Sequence, residues 1–169
     1  MSTRTGIALG SNLGNRLAYL REARDLLVGL MPKDALFLQA PVYQSSPVDC
    51  PTDSPDFYNT VVEINYPGTS RELLEITQAI ERNFGRKPVR DKNAPRFLDL
   101  DLLYFGTEIC REPDLIIPHP RLSERRFVLQ PLADIRPDLI LPGHLSSIGD
   151  LLRHLDSDEA PLTSVQDSW

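Results

Sequence analysis

Cysteine is scarce in this 169-residue chain: Cys50 and Cys110 stand sixty residues apart, and the three histidines do not cluster. Without a CxxC pair or a His group at ligand spacing, neither a zinc site nor a disulfide framework is suggested, and a reducing compartment is the simplest setting. Long hydrophobic runs are missing too. Near the start the longest is residues 7–9, far below the length of a signal-peptide core or membrane span, and nothing later approaches such a length. A soluble, cytoplasmic protein is the expectation. A basic surplus is also absent, since 18 Lys and Arg face 24 Asp and Glu; that argues against nucleic acid or an anionic membrane as the main partner. No internal repeat or low-complexity tract appears.

Hydrophobic residues make up 41% of the chain, enough for one domain with a proper core, and the length is short for two. The reading is a single domain over residues 1–155 followed by an acidic tail, residues 156–169. The tail holds Asp156, Asp158, Glu159 and Asp167 with no Lys or Arg, and disorder is expected there. Without it the balance moves from 18 minus 24 to 18 minus 20, so the body is nearly neutral. Within that body Arg82, Arg86, Lys87, Arg90, Lys92 and Arg96 are six of the eighteen basic residues. A local anion site suits such a distribution.

One stretch, APRFLDLDLLYF at residues 94–105, puts acid into what reads as a core strand. Period 2 sends Leu98, Leu100 and Leu102 to one face and Asp99 and Asp101 to the other. At about 3.3 Å per residue the two carboxylates stand roughly 6 to 7 Å apart at their Cα atoms. That spacing suits one hard cation, or two at the roughly 3.5 to 4 Å of two-metal sites. A solvated sheet face is the commoner meaning of alternation, yet two like charges on one face repel and Asp is poor in strands. Metal is the preferred reading.

Around it the chain alternates strands and helices. Residues 6–10 read as a short buried strand, and SNLGN breaks it before a helix carrying Leu17, Leu20, Ala23, Leu27 and Leu30. GSNLGN lacks Gly-Lys-Ser/Thr and is not a P-loop. A strand interrupted by Pro41 leads to a proline-rich loop at residues 46–55, and residues 57–66 alternate again and pair most simply, antiparallel, with the strand before the loop. Thr69 and Glu72 form a capping box opening a helix with Leu73, Ile76, Thr77, Ile80 and Phe84, stopped by Gly85. Gln78, Glu81 and Arg82 lie near its end, where a solvated face is the simplest reading. The loop at residues 85–95 is basic and delivers Arg96 into the acidic strand, as an Mg²⁺-bound polyphosphate would require. Residues 107–110 read as a hairpin return, and His119 is pinned between Pro118 and Pro120 ahead of Arg121, Arg125 and Arg126. Ser123 is expected to cap a helix broken near Pro131, and Ser147 with Asp150 opens a last short helix.

Taken together, GSNLGN, YQSSPV, PDFYN, the helix with Gln78 and Glu81, NAPRFLDLDLLYFG and IPHPRLSERRFVLQPL closely resemble the 6-hydroxymethyl-7,8-dihydropterin pyrophosphokinases of folate biosynthesis over residues 6–155. The resemblance implies an α+β fold, a three-layered αβα sandwich with a ferredoxin-like core and a mainly antiparallel sheet. It implies Mg²⁺-dependent transfer of pyrophosphate from ATP to the pterin's hydroxymethyl group, with AMP released. Asp99 and Asp101 match the ligands of two Mg²⁺ ions, and with Arg86 and Arg96 they form the catalytic set. Gln78, Glu81, Arg86, Arg96, His119 and Arg125 match ATP contacts, which replaces the solvated-face reading of Gln78 and Glu81. The pterin is expected between Phe57 and Phe127, read by Asn59 and Ser45, with Pro47 and Val48 closing the pocket. Ser45, Ser46 and Asn93 stand where members often carry Thr, Pro and Trp. Two lid loops, at residues 47–55 and 85–95, and a monomer are expected as well. A nucleotidyltransferase shares the Gly-Ser and Asp-x-Asp hallmarks, but there the two lie on the order of ten to fifteen residues apart, unlike Ser11 and Asp99 here. A non-catalytic pterin- or nucleotide-binding module is the remaining alternative.

Overall fold

The computed structural model describes residues 1–45, 56–85, 97–157, 159 and 161–169. Its centre is an antiparallel sheet built around β1 (Thr3–Ser11) and β4 (Phe57–Tyr66), which pair over nine residues. Outward from β1 lies β5 (Asp99–Phe105); on the other side the short β2 (Leu38–Gln39) and β3 (Val42–Ser45) both pair with β4, one after the other along it. Ala40 and Pro41 separate β2 from β3, because Pro41 has no N–H for the ladder.

Helices cover both faces. On one, α1 (Arg16–Val28) and α2 (Ser70–Asn83) bury Leu20, Ala23, Leu27, Leu73 and Ile80 against Ile7, Leu9, Val62, Ile64, Leu100 and Leu102. Asn15 caps α1, accepting from the Ala18 N–H at 3.1 Å. The capping box of α2 is complete: Thr69 Oγ1 accepts from the Glu72 N–H at 3.2 Å, and the Thr69 N–H donates to Glu72 at 2.8 Å. Gly85 follows at φ +88°, the left-handed stop. On the other face, α3 (Arg126–Ile135) and α4 (Ile148–Arg153) pack Val128, Leu129, Leu132 and Ile148 against Val61, Leu103 and Tyr104. Ser147 caps α4, accepting from the Asp150 N–H at 3.2 Å. The outcome is α+β in three layers, as expected.

The ladder slips by one residue between β1 and β5: Gly6 opposes Tyr104 while Ile7 opposes Leu102. Leu103 is the extra residue, so it and Tyr104 both reach the α3 face. The slip falls after Asp101 and leaves the alternation of Leu98 to Leu102 intact.

Four local expectations are corrected. Residues 107–110 do not return along β5; β6 (Cys110–Glu112) instead pairs with β7 (Leu115–Ile117) in a separate hairpin. Ser123 lies in a 3-10 turn, and Arg125 is the residue that precedes α3. Pro131 does not break that helix, which runs on to Ile135 with Pro131 buried in the core; burial of the ring there offsets the lost hydrogen bond. The acidic tail is ordered at its far end. Residues Thr163–Gln166 form β8, antiparallel to β3, and Trp169 is buried in the first core. Composition hid this, since one indole and one strand pairing outweigh the polar residues around them.

Candidate active site

The register of three strands builds the site. On β1 the residues facing α3 are Gly6, Ala8 and Gly10, flanked by β4 on one side and β5 on the other. Gly10 lies between Asn59 and Asp99, Ala8 between Val61 and Asp101, and Gly6 between Glu63 and Tyr104. Beyond Arg4 this central strand carries only Gly and Ala on that face, which leaves a shallow groove between its neighbours at the Gly10 end. At Gly10 an added Cβ would lie 2.9 Å from Asn59 Oδ1 and 3.8 Å from Phe57 Cδ1, so a larger residue would push into both. Large residues alternating with Gly and Ala are the signal in the sequence, and reading residues 6–10 merely as a buried strand passed over it.

On the β4 side, buried Asn59 donates through Nδ2 to Ser45 Oγ at 2.6 Å, tying β4 to β3. Phe57 is half-buried two residues earlier, in register with Ser45. Phe127, in the first turn of α3, packs on the second core with part of its ring exposed. The Arg125 guanidinium lies 5.5 Å from that ring's centroid. Two aromatics and a polar pair thus lie on the same face of the sheet.

On the β5 side, Asp99 and Asp101 are half-buried while Leu100 between them is buried. Because β5 is the edge of the sheet, the outward N–H of Leu100 has no strand to meet; buried Glu81 of α2 accepts it at 3.0 Å. Glu81 therefore fixes the backbone between the two aspartates. Gln78 is exposed one turn earlier on α2.

His119 is tied to the same strand, its backbone N–H donating to the Leu103 carbonyl at 2.8 Å. Its Nδ1 accepts the Arg121 N–H at 3.2 Å, which places the proton of the neutral ring on Nε2. Burial, then the charges of Arg125 and Arg121, push its pKa down to about 4 against the opposing pull of Asp99. Burial foremost, with Arg121, also lowers the Arg125 pKa, and Asp101, Asp99 and Glu124 pull the other way. The aspartates thus meet a neutral hydrogen-bond donor and a guanidinium. The first turn of α3, just after Arg125, has no side-chain cap, leaving N–H groups and a positive helix end there.

Two half-buried carboxylates are hard oxygen donors, and among the described residues no group of three or more His, Cys, Asp or Glu is placed to hold a metal. That donor set suits Mg²⁺, which binds through one or two carboxylates and takes its other ligands from water and substrate phosphates. Of the residues singled out from sequence, Ser45, Phe57, Asn59, Asp99, Asp101, His119, Arg125 and Phe127 belong to the α3 face and its rim, while Glu81 and Gln78 come from α2. Pro47, Val48, Arg86 and Arg96, and both lid loops apart from Gly85, lie outside the described residues. No helix among the described residues is long and apolar enough to cross a membrane.

Comparison with known proteins points to one family. The profile of the 7,8-dihydro-6-hydroxymethylpterin-pyrophosphokinase (HPPK) family matches residues 6–137. The chain is 42% identical over 143 residues to a Pseudomonas aeruginosa protein named 2-amino-4-hydroxy-6-hydroxymethyldihydropteridine pyrophosphokinase, covering 84% of this chain and 86% of the relative. A Bacillus subtilis protein of the same name is 45% identical over 133 residues, 76% of this chain and 75% of the relative. The folic acid synthesis protein fol1 of Pneumocystis carinii is 39% identical over 140 residues, which span 80% of this chain but 18% of that longer protein. Among solved structures, wild-type Plasmodium falciparum HPPK-DHPS superposes with a TM-score of 0.67 at 13% identity, covering 90% of this chain and 44% of the other, a likeness of fold. The chain therefore belongs to the 7,8-dihydro-6-hydroxymethylpterin pyrophosphokinase family.

Proposed function

We propose that this chain transfers the pyrophosphoryl group of ATP to the hydroxymethyl oxygen of 6-hydroxymethyl-7,8-dihydropterin and releases AMP. The observation that carries the reading is the row Asn59, Gly10, Asp99 across adjacent strands. At about 4.8 Å per strand, the polar pair that would read a pterin and the first acid that would hold metal are roughly 10 Å apart across Gly10, which has no side chain of its own. A pterin over Phe57 and Asn59, stacked against Phe127, would direct its hydroxymethyl group along that groove toward Asp99 and Asp101.

In the reaction the hydroxymethyl oxygen attacks the β-phosphorus of ATP and gives up its proton to solvent, the bond from that phosphorus to the α–β bridging oxygen breaks, and AMP leaves with the electron pair. Two Mg²⁺ ions held by Asp99 and Asp101 would neutralise phosphate charge and lower the pKa of the attacking hydroxyl. Arg125 and the Nε2–H of neutral His119 donate to phosphate oxygens, and Arg86 and Arg96 add bidentate cationic contacts. Glu81 keeps the strand between the aspartates in place, and Gln78 contributes from the ATP side. Pro47 and Val48 are assigned to the pterin by the family resemblance alone. No side chain is required as a dedicated general base. The working unit is a cytoplasmic monomer.

The test is a product assay with Mg²⁺, ATP and the hydroxymethyl dihydropterin. AMP with pyrophosphorylated pterin supports the reading. Inorganic pyrophosphate would indicate nucleotidyl transfer, and binding without turnover would reduce the chain to a binding module.

A further inference from the structure

Strand β3 carries Ser45, the hydroxyl that accepts from Asn59, and it is four residues long. A strand of that length at the rim of a sheet frays readily, because half its backbone groups face water. Here it is not the rim. Residues 163–169 add β8 along its outer edge, with Val42 opposite Gln166, Tyr43 opposite Ser164 and Gln44 opposite Thr163. The pairing ends next to Ser45.

What holds this added strand is Trp169. The residue is 7% exposed, and its Nε1–H donates to the Ala40 carbonyl at 2.7 Å. The Arg24 guanidinium of α1 lies 5.0 Å from the ring's centroid, and Gln39 Nε2 donates to the Trp169 carbonyl at 3.3 Å. The Thr60 hydroxyl shares its one proton between the Pro41 carbonyl at 2.9 Å and the Ala40 carbonyl at 3.1 Å, and the Ala40 N–H donates to the Val61 carbonyl at 3.0 Å. Thr60 is the residue after Asn59. Ala40 therefore joins the indole, through its carbonyl, to the β4 backbone that carries the buried amide, through its N–H, and β8 is paired along β3, the strand that carries the amide's partner. On its other side β3 is fastened to α3, where the Tyr43 hydroxyl hydrogen-bonds Asp134.

We propose that residues 163–169, anchored by Trp169, are a positioning element for the pterin end of the site. They hold β3 so that Ser45 Oγ stays within reach of Asn59 Nδ2, and so fix the direction in which the Asn59 amide presents its oxygen. Trp169 touches neither substrate; it acts through Ala40, Thr60 and β3. The acid end, on β5 two strands beyond β4, shares none of these contacts. Loss of the anchor should therefore separate the two substrates. This inference rests on the assignment of Asn59 and Ser45 to pterin recognition, and its test includes a readout independent of that assignment.

The experiment compares the full chain with Trp169→Phe, Trp169→Ala and a chain ending at Leu162. Steady-state kinetics give KM for the dihydropterin, KM for ATP and kcat, and amide hydrogen exchange compares residues 42–45 with β1. Expected for Trp169→Ala is a pterin KM raised about tenfold, with KM for ATP and kcat within about twofold, and faster exchange in β3 but not in β1. Trp169→Phe, which keeps the ring and loses the N–H, should give a smaller rise, and the shortened chain at least as large a one as Trp169→Ala. Unchanged pterin KM and exchange in Trp169→Ala would overturn the proposal. So would an equal loss for both substrates with exchange rising throughout, the mark of a merely structural role. Should Trp169→Ala fail to fold, Trp169→Phe alone decides by the same split. A wild-type chain without pterin turnover would sink the functional reading, and the β3 exchange contrast would still decide whether Trp169 holds the strand.

Discussion

Two acidic centres lie on the same face of the sheet, and they are built oppositely. At one end Glu63 is buried, opposite Gly6, and it is enclosed by cations and a phenol: Arg4 donates to it at 2.6 Å, and Arg136 and the Tyr104 hydroxyl bond its other oxygen. The Tyr104 ring fills the space that Gly6 leaves, and its hydroxyl is pushed to higher pKa chiefly by burial and then by Glu63. At the other end Asp99 and Asp101 flank Gly10 and Ala8, and over Gly10 the Phe57 ring comes only to van der Waals distance, 3.8 Å from where a Cβ would stand, against 2.3 Å for the Tyr104 ring at Gly6. The same small-residue strand thus supports a closed acid and an open pair. The closed one joins α3 to the sheet, since Arg136 follows that helix, and its charge is met within the fold. The open pair is half-exposed beside Arg125 and His119, a setting that suits a ligand carrying both metal and phosphate.

The contrast breaks most sharply on substitution. Asp99→Asn or Asp101→Asn should lower kcat by about a thousandfold, roughly 4 kcal/mol of barrier, while the melting temperature stays within about 3 °C of wild type. Assay of AMP release beside a thermal melt checks both halves; a variant that unfolds or stays active would merge the two centres into one class. Glu63→Ala should do the reverse. Leaving the buried Tyr104 hydroxyl without its acceptor and the partly exposed Arg136 and Arg4 without their partner costs on the order of 2 to 3 kcal/mol of stability, read from urea melts, while the folded fraction keeps near-normal kcat.

A smaller effect is expected at Gly10, where the open groove begins. Gly10→Ala places a methyl group 2.9 Å from Asn59 Oδ1 and should raise KM for the pterin about tenfold with KM for ATP unchanged. Equal effects on both substrates would mean that the groove does not divide their sites. The smallest effect concerns acid. His119 titrates near 4 in the fold against an ordinary 6.5, so protonation favours the unfolded chain. Its contribution to stability is complete above pH 6.5 and is lost as pH falls from there toward 4. In metal-free buffer the melting temperature of His119→Gln should therefore fall less steeply than that of wild type across that window. Parallel slopes would contradict the burial of a neutral His119.

Much of this layout was legible in the sequence because local rules and the fold agree. The alternation of Leu98 to Leu102 set the aspartates on one face, and the Thr69 and Glu72 box opened α2 where it begins. Glu63 looked like any polar residue of an alternating strand, since its partners come from residues 4, 104 and 136 and no window holds them together. Glu81 was placed on the ATP side by resemblance; its bond to the Leu100 N–H became visible only once β5 proved to be the sheet's edge. The order at residues 163–169 escaped because the pairing partner, β3, lies over a hundred residues earlier. The small side chains of β1 carried a signal in plain sight, a groove whose use depends on which strands flank it.

The central claim is that the open pair belongs to the ligand and not to the frame. Its most direct measurement is the thermal melting of wild type and the Asp99→Asn, Asp101→Asn double variant, each without metal and again with Mg²⁺ and a non-hydrolysable ATP analogue. Wild type and double variant should melt equally without ligand, and at about a hundred times Kd wild type should gain about 2.7 kcal/mol that the double variant lacks. A double variant that melts well below wild type without ligand, or that is stabilised equally by Mg²⁺ and the analogue, would contradict the claim.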